Sequence, residues 1–217
     1  MTTPIIQLGV ANCQSYDGDK SAAAWVGRAE LMKAQKRNVW FVSETTVAGR
    51  NILLAKLGST WREVPLKAKT VAVLYDSAVF SRKTVRSRRF GKPPTPFGHG
   101  AVAVPLVHKA TKKGVDMIAL HIRPGSIANL SQKQADVRTA KELLGTWPTV
   151  MGGDFAQPHP QLADWKRVTP NVDTMDAKGN QSVDAAFTLG AFTATNGKVI
   201  NPGRLSDHKW LSVDLAL

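Results

Sequence analysis

Short apolar segments separated by polar ones run along most of the chain, and their length is typical of β-strands. The segments that predict strands are IIQLGVAN, NVWFVSE, TVAVLYD, AVAVPLVH, VDMIALHI, PTVMGGDF, SVDAAFTLG and HKWLSVDLAL. NVWFVSE is almost continuously apolar, which favours a strand buried on both faces. Two glycine features predict turns: the Asn-Gly pair in TATNGKVIN predicts a hairpin, and Gly152–Gly153 predicts a turn before Asp154.

Two longer segments have the apolar period of amphipathic helices. The first, KSAAAWVGRAELMKAQKR, places four apolar residues on one face: Trp25, Val26, Ala29 and Met32. The second, LSQKQADVRTAKELLG, has a capping-box pattern at Ser131 and Gln134, an apolar stripe, and Gly145 at its expected end. A short helix is also expected from Gly49 to Leu57. Many strands with two or three helices predict an α/β sandwich, in which two stacked sheets are covered by helices, and we expect a single domain over residues 1–217.

The charge balance adds a prediction about the partner. The chain has 29 Lys and Arg against 16 Asp and Glu, a net charge of +13. One acid-free stretch contains six of the basic residues: Arg82, Lys83, Arg86, Arg88, Arg89 and Lys92. Such a field favours a polyanion, nucleic acid first and an anionic membrane second, over a basic face kept for solubility.

Composition also bears on where the protein acts. No apolar run approaches the length that spans a bilayer, and the N-terminal residues lack the basic and apolar regions of a signal peptide. The single cysteine, Cys13, excludes an internal disulfide and fits a reducing compartment. We therefore expect a cytoplasmic protein, of a size that suits a bacterial or bacteriophage genome.

Polar residues recur where the predicted buried strands end. They are Asn12, Glu44, His121, Asp154, Asp184 and the pair Asp207–His208. Each alone has an ordinary explanation as a solvated strand end, a turn-forming residue or a satisfied core histidine. Their repetition at strand ends indicates a shared crevice.

In order and spacing, this series resembles the endonuclease/exonuclease/phosphatase superfamily, the fold of pancreatic deoxyribonuclease and exonuclease III. The resemblance covers nearly the whole chain: an early Asn, a Glu, a His, a GDF motif, a further Asp and a closing SDH. It implies a four-layered α/β sandwich, with two mainly antiparallel or mixed sheets flanked by helices. It also implies hydrolysis of phosphodiesters with Mg²⁺ or Mn²⁺.

The resemblance implies a role for each motif residue. Glu44 is similar to the family's principal metal ligand, with Asn12 beside it and Asp207 completing the metal and water network; carboxylate oxygens suit such hard cations. Asp154 resembles the residue that orients or deprotonates the attacking water. His208 would contact the scissile phosphate, and Asp184 would hold its imidazole.

Two departures from the family pattern stand out. His121 resembles a second active-site histidine, but the stretch expected to orient it, LKAKTVAVLY, carries lysines, so its partner is not identified. Arg123 is an alternative phosphate contact. The other histidines, His99, His108 and His159, have no motif position and are interpreted as surface or loop residues.

The second departure is Ala156, which stands where the family's GDFN motif has Asn. A methyl group can neither donate nor accept a hydrogen bond at the phosphate. Three explanations are open: an engineered reduction of activity, a natural variant in which Gln157 or a loop residue substitutes, or a lineage that has lost activity. Loss by drift fits least, because the other motif positions are intact.

We therefore expect a Mg²⁺- or Mn²⁺-dependent nuclease, acting on DNA rather than RNA, and an endonuclease or nickase rather than an exonuclease. The stretch from Arg82 to Lys92 would bind the phosphate backbone, and a monomer with no membrane partner is expected. The alternatives are a phosphoinositide or sphingomyelin phosphodiesterase of the same fold, and a catalytically silent nucleic-acid-binding protein.

Overall fold

A computed structural model describes residues 6–14, 20–66, 70–91, 99–124, 128–156, 162–174 and 183–217. Within these residues lie three α-helices: α1 (Ala22–Ala34), α2 (Val47–Leu57) and α3 (Leu130–Lys141). The strands are β1 (Ile6–Asn12), β2 (Val39–Ser43), β3 (Trp61–Pro65), β4 (Ala72–Asp76), β5 (Phe80–Arg82), β6 (Arg86–Arg89), β7 (Gly100–His108), β8 (Gly114–His121), β9 (Thr149–Asp154), β10 (Lys166–Arg167), β11 (Asp184–Leu189), β12 (Thr193–Ile200) and β13 (Trp210–Ala216).

The strands form two mixed sheets. One has six strands in the order β12-β13-β1-β2-β4-β3; the other has seven, β10-β11-β9-β8-β7-β5, with β6 also paired to β7. In each sheet one central pair is parallel, β1 with β2 and β8 with β9, and the other pairs are antiparallel. The expected pair of mixed sheets is confirmed.

Three apolar clusters give the molecule four layers. The largest fills the space between the sheets and includes Phe41, Val104 and Val213. A second lies between the six-stranded sheet and helices α1 and α2, around Trp25 and Trp40. A third includes the buried face of α3 and the outer face of the seven-stranded sheet. Since each sheet is covered on both faces, its central strands are apolar throughout, as expected for β2.

The direction of the strands determines which residues meet. The parallel strands β1, β2, β8 and β9 end at one end of the sandwich, where they place four predicted polar positions. Asp184, by contrast, begins β11, and Asp207–His208 precede β13, so the sequence prediction that they end strands is wrong. Because β11 and β13 are antiparallel to their neighbours, their starts reach the same end of the sandwich.

Two turn predictions are wrong. The Asn-Gly pair lies inside β12, where the register with β13 shifts between Thr195 and Lys198, and Asn196 donates a hydrogen bond to Asp214. It marks a β-bulge rather than a hairpin. Gly153 lies within β9 with a φ of 135°, and a Cβ there would come 2.0 Å from the carbonyl oxygen of Leu120. Position 153 therefore requires glycine, because the backbone of Leu120 approaches it closely.

Helix boundaries also differ in detail. The N-cap of helix α3 lies two residues earlier than expected: it is Asn129, whose side chain forms the reciprocal capping box with that of Gln132. The helix ends at Lys141, short of Gly145. In α1, Val26 is half-buried whereas Arg28 is buried and donates to the Leu205 carbonyl. Among the described residues, no helix combines the length and apolar character needed to cross a bilayer.

Candidate active site

Asn12 connects the two carboxylates at the centre of the site. Its Nδ2 donates to Glu44 Oε1 and to Asp154 Oδ2, both at 3.1 Å, and its Oδ1 accepts from the Gln14 backbone at 2.8 Å. Glu44 follows β2 and Asp154 ends β9, so one amide holds acids from both sheets. The carboxylates would otherwise repel each other, and the shared donor offsets part of that repulsion.

Glu44 has an unfavourable environment for its charge and an unfavourable backbone conformation. Burial raises its pKa to about 7, the hydrogen bond from Asn12 opposes this rise, and the charge of Asp154 adds to it. Its φ of 49° lies in the left-handed region that side chains other than glycine and asparagine rarely adopt. A strained, desolvated carboxylate at a strand end is the kind of ligand that a divalent cation would stabilise.

Asp154 is buried and hydrogen-bonded on both oxygens. Besides Asn12, its Oδ1 accepts from the Ala156 backbone N–H at 2.8 Å. This bond holds Ala156 with a φ of 49°, again in the left-handed region. Asparagine is enriched in that conformation, so the backbone at position 156 has the shape of the motif residue while its side chain is absent.

His208 and Asp184 form a buried ion pair. His208 Nδ1 lies 2.6 Å from Asp184 Oδ2, as the sequence analysis expects of the two residues. Burial alone would lower the pKa of His208, but the charge and hydrogen bond of Asp184 outweigh it and raise this pKa to about 10. The imidazole is therefore protonated at neutral pH, and its Nε2 is a hydrogen-bond donor.

The segment before β13 completes the site from the C-terminal side. Ser206 Oγ and Trp210 Nε1 both donate to the Asn12 carbonyl, at 2.8 and 2.9 Å. Asp207 Oδ1 lies 3.7 Å from His208 Nε2. This Asp207 oxygen is buried without a hydrogen-bond partner among the residues described. Asp207 thus lies beside the pair but is not linked directly to Glu44 by a contact in this structure.

His121 ends β8 opposite Asp154, and its Nδ1 is buried without a hydrogen-bond partner among the residues described. Its Nε2 lies 3.8 Å from oxygens of both Glu44 and Asp154, beyond hydrogen-bond distance. The ring of His99 packs against it with centroids 4.5 Å apart. His99 lies in the segment before β7 but is buried, so of its interpretation as a surface or loop residue only the surface position is wrong. Burial lowers the pKa of each imidazole to about 3, so both are neutral.

Sequence reasoning missed two residues near the site. His99 immediately precedes β7. Because β7 is antiparallel to β8, the first residue of β7 lies opposite His121, the last residue of β8. A search limited to residues that end strands does not find His99. Lys133 lies on α3 and is completely buried, within electrostatic range of Asp154 and Asp136. Its signal was available: a lysine on the apolar face of a helix is rarely buried without a functional or ionic partner.

The basic residues are dispersed. Arg89 is exposed opposite Gly100, two strands from His121 and thus about 10 Å away. Arg86 pairs with Asp116 at 3.1 Å, Arg88 with Glu142 at 3.5 Å, and Arg123 with Asp136 at 2.7 Å. Arg82 and Lys83 lie near the other end of the sandwich. Lys92, with Gln157 and His159, lies outside the described residues.

The residues present suit a divalent metal ion. Glu44, Asp154 and His208 each offer a ligand atom, and these atoms lie within 4.8 Å of one another. The carboxylate oxygens of Glu44 and Asp154 are the donors that a hard cation prefers. Two hard oxygen donors match the preference of Mg²⁺ or Mn²⁺.

Comparison with known proteins identifies the fold. No protein-family model matches the chain, and no curated protein matches it by sequence. Among solved structures, D. rerio TDP2 complexed with a single-strand DNA product superposes with a TM-score of 0.78 at 13% identity, covering 98% of this chain and 99% of that one. A Bacteroides vulgatus endonuclease/exonuclease/phosphatase gives 0.77 at 16% identity, covering 98% of both chains.

The human Nocturnin catalytic domain, with a bound sulfate anion, also superposes, with a TM-score of 0.76 at 14% identity over 97% of this chain and 94% of that one. These similarities extend along almost the whole described chain. They show that the protein has the endonuclease/exonuclease/phosphatase fold, the four-layered α/β sandwich that the motif series implies.

Proposed function

We propose that the protein is a metal-dependent phosphodiester hydrolase that acts on nucleic acid, and more specifically a DNA endonuclease or nickase. The observation that carries this proposal is the convergence of Asn12, Glu44 and Asp154 with the His208–Asp184 ion pair at one end of the sandwich. These residues come from both sheets and from widely separated parts of the sequence.

Each residue has a chemical role that its contacts support. Glu44 and Asp154 would hold the cation, which when bound neutralises charge on the phosphoryl oxygens. Asp154 also has the geometry to orient a water, since its backbone-held oxygen is fixed by the Ala156 N–H. His208 is a protonated donor whose charge is kept by Asp184, and it would hydrogen-bond a non-bridging phosphate oxygen as negative charge develops there.

Nucleic acid is favoured as the substrate class by the net charge of +13 and by the exposed Arg89 at the rim of the site. The related structure of D. rerio TDP2 contains a single-strand DNA product, which fits a DNA substrate for the same fold. The preference for internal cleavage is an expectation from the sequence analysis and is part of the proposal.

The test is cleavage of supercoiled plasmid with Mg²⁺ or Mn²⁺, compared with cleavage in EDTA. We expect metal-dependent conversion to nicked circles by the wild type, and loss of this activity in Glu44→Gln. Lys198→Gln, at an exposed position of the edge strand β12 and without a contact to the site residues, is the surface control and should cleave normally. Cleavage that persists in Glu44→Gln would overturn the assignment of the site, and hydrolysis of phosphoinositide without DNA cleavage would overturn the substrate class.

Ala156 specifically favours a second candidate, a protein that binds nucleic acid without cleaving it. The backbone at this position retains the conformation of the motif residue while the hydrogen-bonding side chain is missing. On this candidate, the wild type would bind DNA and leave it intact under all metal conditions. Restoring the amide at position 156 separates the two candidates.

A further inference from the structure

A second basic feature lies at the end of the sandwich opposite the candidate active site. It is a cavity of about 410 Å³ lined by Arg62, Glu63, Tyr75, Ser77, Phe80, Ser81, Arg82 and Lys109. We refer to it as the distal basic pocket. Its residues come from β3 and β4 in one sheet and from β5 and the end of β7 in the other, so it is formed where edge strands of the two sheets adjoin.

The position of the pocket follows from the register of β7. Gly100, at one end of this strand, pairs with His121, whereas Leu106 pairs with Arg82. Six residues of strand separate these two points, which corresponds to about 20 Å. In the other sheet Tyr75 pairs with Val39, at the end of β2 away from Glu44. The pocket and the candidate active site are therefore distinct.

The charge of the pocket is positive and poorly compensated. Three cations line it, and its one acid, Glu63, is already paired with the buried Arg50 at 2.6 Å. Lys109 donates to a backbone carbonyl, that of Ser77, and Arg62 donates to two backbone carbonyls, so neither cation is neutralised by a carboxylate in these contacts.

Arg82 is the most available donor of the pocket. It is exposed, and its guanidinium makes no hydrogen bond or ion pair with the residues that the structure describes. Arg82 and Arg62 both lie within electrostatic range of the Tyr75 hydroxyl, whose pKa is raised by burial and lowered in part by these two charges. Guanidinium, ammonium and hydroxyl donors around one concave surface are the groups that bind phosphate.

We infer that the distal basic pocket binds phosphate groups of a nucleic acid strand that extends beyond the candidate active site. This inference rests on the proposed function for its choice of ligand. Adjacent phosphates lie about 3.4 Å apart along one strand of a duplex, so a distance of about 20 Å corresponds to roughly six base pairs. The pocket would hold the duplex at a second point and set its direction across the protein.

The experiment is the salt dependence of DNA binding in EDTA, where no hydrolysis is needed. For a 20-base-pair duplex, the double variant Arg82→Gln/Lys109→Gln should reduce the magnitude of the slope of log K against log salt by about 2, because each lost phosphate contact contributes about 0.9. The control Arg138→Gln/Lys198→Gln removes the same charges from exposed positions on α3 and β12 and should change the slope much less.

Duplex length provides the second arm. On a hairpin with a four-base-pair stem, which is too short to reach from the active site to the pocket, the wild type and the double variant should give the same slope. Equal slopes for the wild type and the double variant on the 20-base-pair duplex would overturn the inference. The cations would then serve to prevent the edge strands from pairing with other chains. Loss of tripolyphosphate binding with an unchanged DNA slope would also overturn it, and would assign the pocket to a small free anion.

Failure of this inference is distinguishable from failure of the proposed function. Hydrolysis of bis(p-nitrophenyl) phosphate, which is too small to reach the pocket, reports on the candidate active site alone and should be equal in the wild type and the double variant. A protein that shows the expected change of slope but hydrolyses neither substrate would retain the distal basic pocket and lose the assignment as an enzyme.

Discussion

Replacing Ala156 with asparagine separates the effect of a missing side chain from that of a strained backbone. Ala156 is buried, has a φ of 49°, and donates its N–H to Asp154. An ordinary L-residue pays about 1–2 kcal/mol in this region, while asparagine and glycine are tolerated there. We therefore expect both Ala156→Asn and Ala156→Gly to stabilise the protein by about 1 kcal/mol, raising the melting temperature by roughly 2–4 °C.

Activity should respond to only one of these variants. Asparagine adds a hydrogen-bonding group beside the phosphate, and one such preorganised donor contributes on the order of 10²–10³ in rate. Glycine relieves the same backbone strain without adding a donor. The assay is the initial rate of Mg²⁺-dependent plasmid nicking, measured together with thermal unfolding for the wild type and both variants.

Three outcomes of measurements on this pair of variants would contradict these expectations. If Ala156→Asn nicks DNA no faster than Ala156→Gly, the motif amide is not what the site lacks. If Ala156→Asn binds DNA normally and still does not cleave it, the silent binding protein becomes the correct description. If neither variant raises the melting temperature, the left-handed backbone at this position is not a source of strain.

Three further outcomes test the site and the fold. The metal-free wild type should lose about 3 kcal/mol of its free energy of unfolding, relative to Glu44→Gln, as the pH rises from 4.5 to above 7. The loss is expected because the folded state keeps the Glu44 proton up to its raised pKa, whereas the unfolded state releases it earlier. A difference in urea unfolding that does not change with pH would contradict this. Asp184→Asn should lower the pKa of His208 from about 10, seen by NMR as deprotonation of the imidazole near neutral pH, and should slow cleavage about 10²-fold; an unchanged titration would show that Asp184 does not hold the charge. Gly153→Ala should lower the free energy of unfolding by about 3 kcal/mol, because its Cβ would lie 2.0 Å from the Leu120 carbonyl oxygen. Gly203→Ala, whose Cβ would have no atom within 4 Å, should lower it by about 1 kcal/mol. Equal losses in chemical denaturation would show that the close approach at Gly153 is not the cause.

The apolar pattern was sufficient to predict the two sheets, because strands covered on both faces are continuously apolar over a length that helices do not share. It failed where a local signal has two structural outcomes. The pair Asn196–Gly197 tolerates positive φ equally in a hairpin and in a bulge, and only the pairing of β12 with β13 decides between them.

The candidate site was predictable where a motif residue ends a parallel strand, as Asn12 and Asp154 do. His99 was not, because its proximity to His121 depends on β7 being antiparallel to β8, which no short motif records. The partners of Arg86 and Arg123 were also unpredictable, since Asp116 and Asp136 approach them only through tertiary packing. Within the described part of the basic stretch, Arg86 and Arg88 thus form separate ion pairs, whereas Arg82 and Arg89 are exposed near opposite ends of the sandwich.

The hydrogen bonds to the Asn12 carbonyl come from residues almost a full chain length away, Ser206 and Trp210, at separations of 194 and 198 residues. The end of β1 is therefore fixed in place only when β13, the last strand of this sheet in chain order, has paired with it. His208, two residues before β13, is positioned by the same pairing. The candidate site is therefore assembled from both ends of the described chain, and it is complete only when β13 has paired with β1.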